Sequence, residues 1–402
     1  LWEQGKTQAR TKRSGVPVVL KPIVLKLRRQ RGLGYRQSAG RLELWPVAGN
    51  VEILVRIRKS LAVTREYDVC GLGNAIVDIF LEVDDSEFAT LGFERGTMRL
   101  MEAAEQDSLL AQFSARNEEL KLVSGGSVAN SVIGLSQLGG KGAFIGCVGD
   151  DRYGLHYVEE FQSLRINMGN PIIVGQTTGT CLAIITPDAE RTMRTSLAVS
   201  SHLAARHVDA GRIAKSTWLF IEGYVFANPA TGHHAIRESL AAAKAAGTKI
   251  ALTCSDAFVP EVFGEAFHEA LAQSDLLFCN APEAKALTKA ATIEEAFSKL
   301  KEMVPNCVVT DGPHGASICF EGKESHVPAF ACHPKDLTGA GDMFAGAFLY
   351  GITHGYAPNI AARGANYLCM NVITQVGARL QQDAKSLWED AMEDGRANDV
   401  GG

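Results

Sequence analysis

The amino-acid sequence predicts an α/β protein, with a mostly parallel central sheet flanked by helices and a small second β-sheet serving as a lid. Two observations carry this. From residue 217 onward short apolar runs alternate with helix-like segments: 217–223 then 231–246, 249–253 then 260–273, 275–280 then 282–288. This is the rhythm of strand–helix–strand units, whose crossovers make neighbouring strands parallel and cover both faces of the sheet. Gly247 stands where the alanine-rich helix should stop, and Pro282 where a first turn tolerates proline. Between about residues 79 and 198 the rhythm is lost. There the β-prone pieces 79–83, 171–174, 180–186 and 192–197 do not alternate with helices, which places lid strands within about 79–100 and 170–198.

Composition sets the outer limits. The chain has 402 residues, 46% hydrophobic and 21% charged, enough apolar material for one large core or two smaller ones. No apolar run of about 18 residues is free of charge, so no membrane partner is expected. The formal charge of -5 is unevenly spread, because the first 65 or so residues are rich in Lys and Arg (Arg28, Arg29, Arg31, Arg56, Arg58, Lys59). Residues 1–62 do not open on Met and show weak periodicity. They are expected to be a disordered basic extension, a gene-model artefact in which Leu1 and Val63 are alternative start codons read literally. A targeting segment and a nucleic-acid arm are the other readings. The folded domain is expected over 63–385, followed by a flexible tail over 386–402. The nine cysteines form no CxxC pair and lie mostly in apolar runs, as reduced thiols do, which points to the cytoplasm, or to an organelle if 1–62 is a transit segment. The ten histidines include no HExxH, so a protein-ligated zinc has no support.

The strongest local signal is Asp336-Leu337-Thr338-Gly339-Ala340-Gly341-Asp342, which runs into a helix-like segment. Glycines at a helix start let backbone N–H groups point outward where the helix dipole is positive, so Gly339, Ala340 and Gly341 form a candidate anion site. Asp342 would take the proton of an attacking hydroxyl, the same dipole keeping it ionised. A Gly-rich turn with Asp as a helix-start residue reads equally well. Gly71-Leu72-Gly73-Asn74-Ala75-Ile76-Val77-Asp78 fails as a dinucleotide fingerprint because Ile76 holds the third glycine position. It offers instead Asn74 and Asp78, polar groups suited to vicinal sugar hydroxyls, or else a turn Asn and a surface Asp. Gly125-Gly126-Ser127-Val128-Ala129-Asn130 opens an amphipathic helix, with the glycine pair as a hinge and Ser127 as a cap. Asn280 and Glu283 lie just past a strand, where a carboxylate could hold a water-shelled magnesium ion or simply start a helix. No GxxxxGK[ST] occurs, which removes P-loop chemistry.

Taken in order, these motifs resemble the ribokinase-like (PfkB-type) family of carbohydrate and nucleoside kinases over about residues 67–380. The likeness is strongest to its adenosine-kinase branch, through Gly73-Asn74, Asp78-Ile79, Gly125-Gly126-Ser127, Asn130, Gly179-Thr180-Cys181 and Gly377. The resemblance implies a ribokinase-like fold and transfer of a phosphoryl group from ATP, with Mg2+, to the 5'-hydroxymethyl of adenosine or a related ribosyl substrate. A free-sugar kinase and a noncatalytic ligand-binding relative are the alternatives. It also implies that Asn74, Asp78, Gly126 and Asn130 hold ribose hydroxyls, that Gly339–Gly341 stabilise the phosphoryl group and that Asp342 is the base. Asn280 and Glu283 would match the magnesium and phosphate motif; Thr310, Gly312, Gly315 and Asn366 would border the nucleotide; Arg191 would reach the transferred phosphate. Asp336 and Thr338 stand where some relatives bind a monovalent cation such as K+. Leu337 departs from the family, which usually has a small or hydroxylated residue there. Tyr224 and Phe226 are candidates to stack on a purine or to pack as core. The partners implied are a small-molecule substrate and no nucleic acid, in a monomer or homodimer.

Overall fold

A computed structural model describes residues 33–38, 41–46, 65–114, 120–169, 172–188 and 190–399. The chain divides into two units at Thr64 and Arg65. Within the first, β1 (Leu33–Ser38) and β2 (Arg41–Pro46) form an antiparallel pair. The rest of the expected extension 1–62 lies outside the described residues.

The second unit is built on a nine-stranded sheet. Its order is β16 (Lys323–Val327), β15 (Ala316–Phe320), β14 (Cys307–Thr310), β13 (Leu276–Asn280), β12 (Lys249–Thr253), β11 (Ser216–Ile221), β3 (Tyr67–Leu72), β7 (Gly142–Ile145), β8 (Asn167–Met168). All neighbours are parallel except β14–β15 and β15–β16. Alternation explains the burial. In β11, Trp218 and Phe220 enter one apolar cluster while Leu219 and Ile221 enter another on the opposite face. A strand buried on both sides must be apolar at every position, which is why the alternating helical and apolar runs were legible.

The small sheet runs β5 (Met98–Leu100), β10 (Arg191–Ser196), β9 (Gly179–Ile185), β4 (Ile76–Glu82), β6 (Lys121–Gly125). The expected pieces 79–83, 180–186 and 192–197 fall in β4, β9 and β10. The fourth does not join this sheet: Ile173 makes a single bridge to Gly149.

Four helices matter to the site and one to its support: α1 (Ser127–Gln137), α2 (Ala281–Thr288), α3 (Ala340–Thr353), α4 (Pro358–Ile373) and α5 (Ala384–Asp399). The last corrects the expected flexible tail, since Leu387, Trp388 and Ala391 are buried against the core. Its pattern is amphipathic, but charge and glycine at its end obscured that. The nine cysteines are free thiols. Among the described residues no helix is long and apolar enough to cross a membrane.

Five strands deliver residues to one edge. Asn74 follows β3, Glu222 follows β11, Ser255 follows β12, Asn280 ends β13 and Thr310 ends β14. All lie at the carboxyl ends of parallel strands, where α/β sheets leave a crevice for ligand.

Trp388 is 3% exposed, so its removal empties a large volume. Trp388→Ala is expected to cost about 3–5 kcal/mol, read from the urea midpoint of purified protein. A midpoint equal to wild type would show that α5 is not part of the folded core.

Candidate active site

Asp342 stands in the first turn of α3, whose cap Gly339 has φ +78°, a left-handed backbone that glycine adopts without strain. The Met343 amide is the first to bond within the helix, to the Gly339 carbonyl, and the Ala340 amide donates to the Leu337 carbonyl at 3.3 Å. The amides of Gly341 and Asp342 have no acceptor among the described residues. They are the orphan donors of a helix start, and Gly341 and Asp342 both line the same cleft.

The Asp342 carboxylate is gripped from α1. Ser127 Oγ donates to Oδ1 at 2.6 Å and Asn130 Nδ2 to Oδ2 at 3.0 Å. Burial pushes Asp342 up to about 6, while these two bonds and the nearby Arg379 hold it down. The helix dipole expected to keep it ionised is thus joined by side-chain donors that work against desolvation. Ser127 is not the cap of α1. The cap is Gly126, which has no side chain to bond with, and Ser127 is free to serve Asp342.

At the start of α1, Gly126 has φ +105°, and a Cβ there would overlap the Asn74 carbonyl oxygen. This close approach is what two adjacent glycines permit. Asn74 is 2% exposed and already engaged, its Nδ2 donating to Glu222 Oε1 at 2.7 Å and its Oδ1 accepting from Ser200 Oγ at 3.2 Å. Glu222 also accepts from the Val128 amide at 3.2 Å, joining β3, β11 and the start of α1. Burial raises Glu222 to about 7 and Asp78 likewise to about 7; Arg379 and then Arg191 oppose the rise at Asp78.

A cleft of about 200 Å³ is lined by Ser127, Asn280, Glu283, Thr310, Gly341 and Asp342 among others. Asn280 and Glu283 form a reciprocal capping box on α2: the Glu283 amide donates to Asn280 Oδ1 at 2.9 Å, and the Asn280 amide to Glu283 Oε2 at 3.0 Å. Glu283 is 7% exposed and burial raises it to about 7, with Asp256 and Asp342 adding negative charge. No group of three or more His, Cys, Asp or Glu among the described residues could cage a metal. Glu283, at the mouth of α2 on this cleft, is a carboxylate of the kind that can orient the waters of a hydrated Mg2+.

Other sequence-predicted residues lie further off. Gly312 is exposed in a short 3₁₀ turn, Gly315 packs against Val327 and Pro328, and Asn366 on α4 donates to the Val327 and Pro328 carbonyls at 3.2 and 3.0 Å. Arg191 of the lid pairs with Asp336 Oδ2 at 2.9 Å, and its Nη2 is buried without a hydrogen-bond partner. The Asp336 carboxylate also accepts from the Thr338 and Gly377 amides. Leu337 is 69% exposed, so its size meets no constraint. Phe226 packs in the core against Phe267 and His233, while the half-buried Tyr224 reaches Asp256 through its hydroxyl at 3.4 Å.

Glu222 and Arg379 were missed by sequence reading. A glutamate directly after an apolar strand is a usable signal for the first. Nothing local marks Arg379, a lone arginine in the segment after α4.

The family model for pfkB family carbohydrate kinases matches residues 97–385, well over half of the chain. The chain belongs to this family. Its fold is therefore ribokinase-like, and its chemistry is phosphoryl transfer to an alcohol of a sugar or nucleoside. Among curated pfkB relatives, adenosine kinase of Saccharomyces cerevisiae is 26% identical over 76% of this chain and 94% of its own length. Fructokinase of Klebsiella pneumoniae is 28% identical over 59% and 80%. The solved adenosine kinase from Sinorhizobium meliloti superposes with TM-score 0.73 at 30% identity, covering 81% of this chain and 99% of that one. An E. coli protein solved with ATP and Mg2+ shares the fold at TM-score 0.66 and 20% identity, covering 81% and 99%.

Gly126→Ala combines positive φ with backbone overlap, and is expected to cost about 3 kcal/mol or more. A thermal melt matching wild type would contradict the close approach of Gly126 to Asn74.

Proposed function

We propose that this protein transfers the γ-phosphoryl group of ATP to the 5'-hydroxymethyl of adenosine or a related ribosyl substrate. One observation carries the reading: a carboxylate held by two fixed donors sits beside the unpaired amides of its own helix start, on an open cleft. The acceptor hydroxyl gives its proton to an Asp342 oxygen as its own oxygen bonds to the γ-phosphorus. The bond from that phosphorus to the β,γ-bridging oxygen breaks, ADP departs, and Asp342 later returns the proton to solvent. Backbone amides of Gly341 and Asp342, together with Gly339 and Ala340 shaping the turn, meet the negative charge spread over the moving group without reorganising. Mg2+ travelling with ATP, as in the E. coli relative, would neutralise phosphate charge, with Glu283 and Asn280 orienting its waters. Thr310 borders the same cleft. Asp78 and Asn130, with Asn74 and Gly126 behind them, are assigned to the acceptor.

Adenosine is favoured by the yeast and Sinorhizobium relatives. The core position of Phe226 leaves only Tyr224 of the two aromatic candidates near the strand edge, which favours a second reading: a free sugar such as ribose or fructose. Assaying adenosine, inosine, guanosine, ribose and fructose with Mg-ATP for ADP release decides between them. ADP release with ribose or fructose but with no nucleoside would reject the first reading.

Asp342→Ala is expected to lower kcat about 10³–10⁴-fold while the KM for ATP stays within about twofold. Near-normal turnover would refute the base. Because the ionised forms of Asp78 and Asp342 are the ones that bind the acceptor and take its proton, wild-type kcat/KM should fall as pH drops from about 7 through about 6, the values to which burial lifts Asp78 and Asp342. A profile flat down to pH 5 would oppose this.

A Cβ at Gly341 would meet nothing within 4 Å. Gly341→Ala is therefore expected to fold at least as stably as wild type, yet to lose about tenfold or more in kcat because the methyl intrudes where the phosphoryl group passes. Full activity would show that no group transits past Gly341.

A further inference from the structure

Arg379 is a buried cation that the reaction as described does not use. Its side chain is 16% exposed, and its Nη2 donates to the Ser124 carbonyl and lies 3.9 Å from Glu160 Oε1. Its Nε and Nη1 are buried with no hydrogen-bond partner. A guanidinium withdrawn from water and left with open donors is costly unless charge nearby compensates.

The compensation comes from acidic groups around the end of β6. Ser124 lies on β6, paired with Val77 of β4, and Asp78 is the next residue of β4, opposite Val123. The Asp78 carboxylate lies against Gly125, close enough that a Cβ there would stand 2.8 Å from Oδ2. The same short stretch is clamped twice more, by Glu160 Oε2 accepting from the Ser124 amide at 2.8 Å and by Tyr157 donating to the Gly125 carbonyl at 3.2 Å. Glu160, Tyr157, Asp78 and Asp342 are the groups that face Arg379 electrostatically.

We propose that Arg379 is a positioning residue of the acceptor site, the counter-cation of Asp78 that also pins the end of β6, just before the Gly125-Gly126 pair, to the segment following α4. This rests on the reading that Asp78 meets the acceptor. Burial already lifts Asp78 to about 7 with Arg379 beside it, so loss of the cation would shrink the ionised fraction at neutral pH, and with it the form whose two oxygens both only accept from vicinal hydroxyls. The groups acting on Asp78 are Arg379 and Arg191, which favour the anion, and Asp342 and Glu160, which oppose it. Those acting on Asp342 are Ser127, Asn130 and again Arg379. Loss of Arg379 therefore raises both carboxyls, and the acid limb of the rate profile moves to higher pH.

The test uses Arg379→Gln and Arg379→Lys in the full chain. Arg379→Gln should raise the acceptor KM about tenfold or more, leave the KM for ATP within about twofold, and shift the acid limb of kcat/KM upward by about one pH unit. Arg379→Lys should keep the wild-type limb, because it keeps the charge. A Gln variant with an unmoved limb, or with both KM values rising together, would overturn the inference and leave Arg379 a structural strut. Should Arg379→Gln not fold, the Lys variant decides: a displaced limb rejects the counter-cation role. A substrate-free measurement separates this from the proposed activity. In ¹³C-Asp-labelled protein, with Asp78→Asn as the blank, the Asp78 carboxyl band in difference infrared should titrate higher in Arg379→Gln than in wild type. No difference rejects the inference even if the wild type is an active kinase, and a shift supports it even if no tested polyol is phosphorylated.

Discussion

The desolvation of carboxylates at one sheet edge is the constraint on which the rest depends. Glu222 and Glu283 lie just past β11 and β13, Asp342 at the start of α3 and Asp78 on β4 of the small sheet, and burial pushes each of them up to between about 6 and 7. Charges placed together out of water repel and lose hydration, so the fold must supply donors for each. It does so in different ways. Asp342 receives two side-chain donors from α1, Glu222 receives Asn74 and a backbone amide, Glu283 closes a capping box, and Asp78 stands near two arginines.

The donors must also stay put, and helix packing ensures this. α1 and α3 cross so closely that a Cβ on Gly346 would overlap the Ser131 carbonyl oxygen. Both helices carry nearly uninterrupted buried faces, Val128 through Leu135 on one and Met343 through Leu349 on the other. A shift of either helix would therefore disturb a large apolar contact before it changed the Ser127 and Asn130 bonds to Asp342. Precise placement of the carboxylate is thus inherited from the core.

The lid is tied to this arrangement by charge. Arg191 reaches from β10 to Asp336 at the base of the α3 turn, and Arg379 reaches from beyond α4 to Ser124 on β6. Each guanidinium has buried nitrogen atoms without hydrogen-bond partners. An open buried donor is stabilised most by an added acceptor.

Local sequence determined the parts of this protein that depend on local physics. Apolar runs buried on both faces announced the parallel strands, Pro282 and Gly247 marked helix ends, and the Gly339–Asp342 turn announced unpaired amides next to a carboxylate. Family resemblance added the order of motifs. What only the tertiary structure decided was which long-range partner each polar group takes: Ser127 with Asp342 across 215 positions, Asn74 with Glu222 across 148, Arg379 with Ser124 across 255. Side-chain hydrogen bonds and charge compensation act over a few ångströms in space and leave no periodic trace along the chain. Ser127 as helix cap and the silence over Arg379 share that one cause, while α5 was missed for a local reason, the charge and glycine at its end.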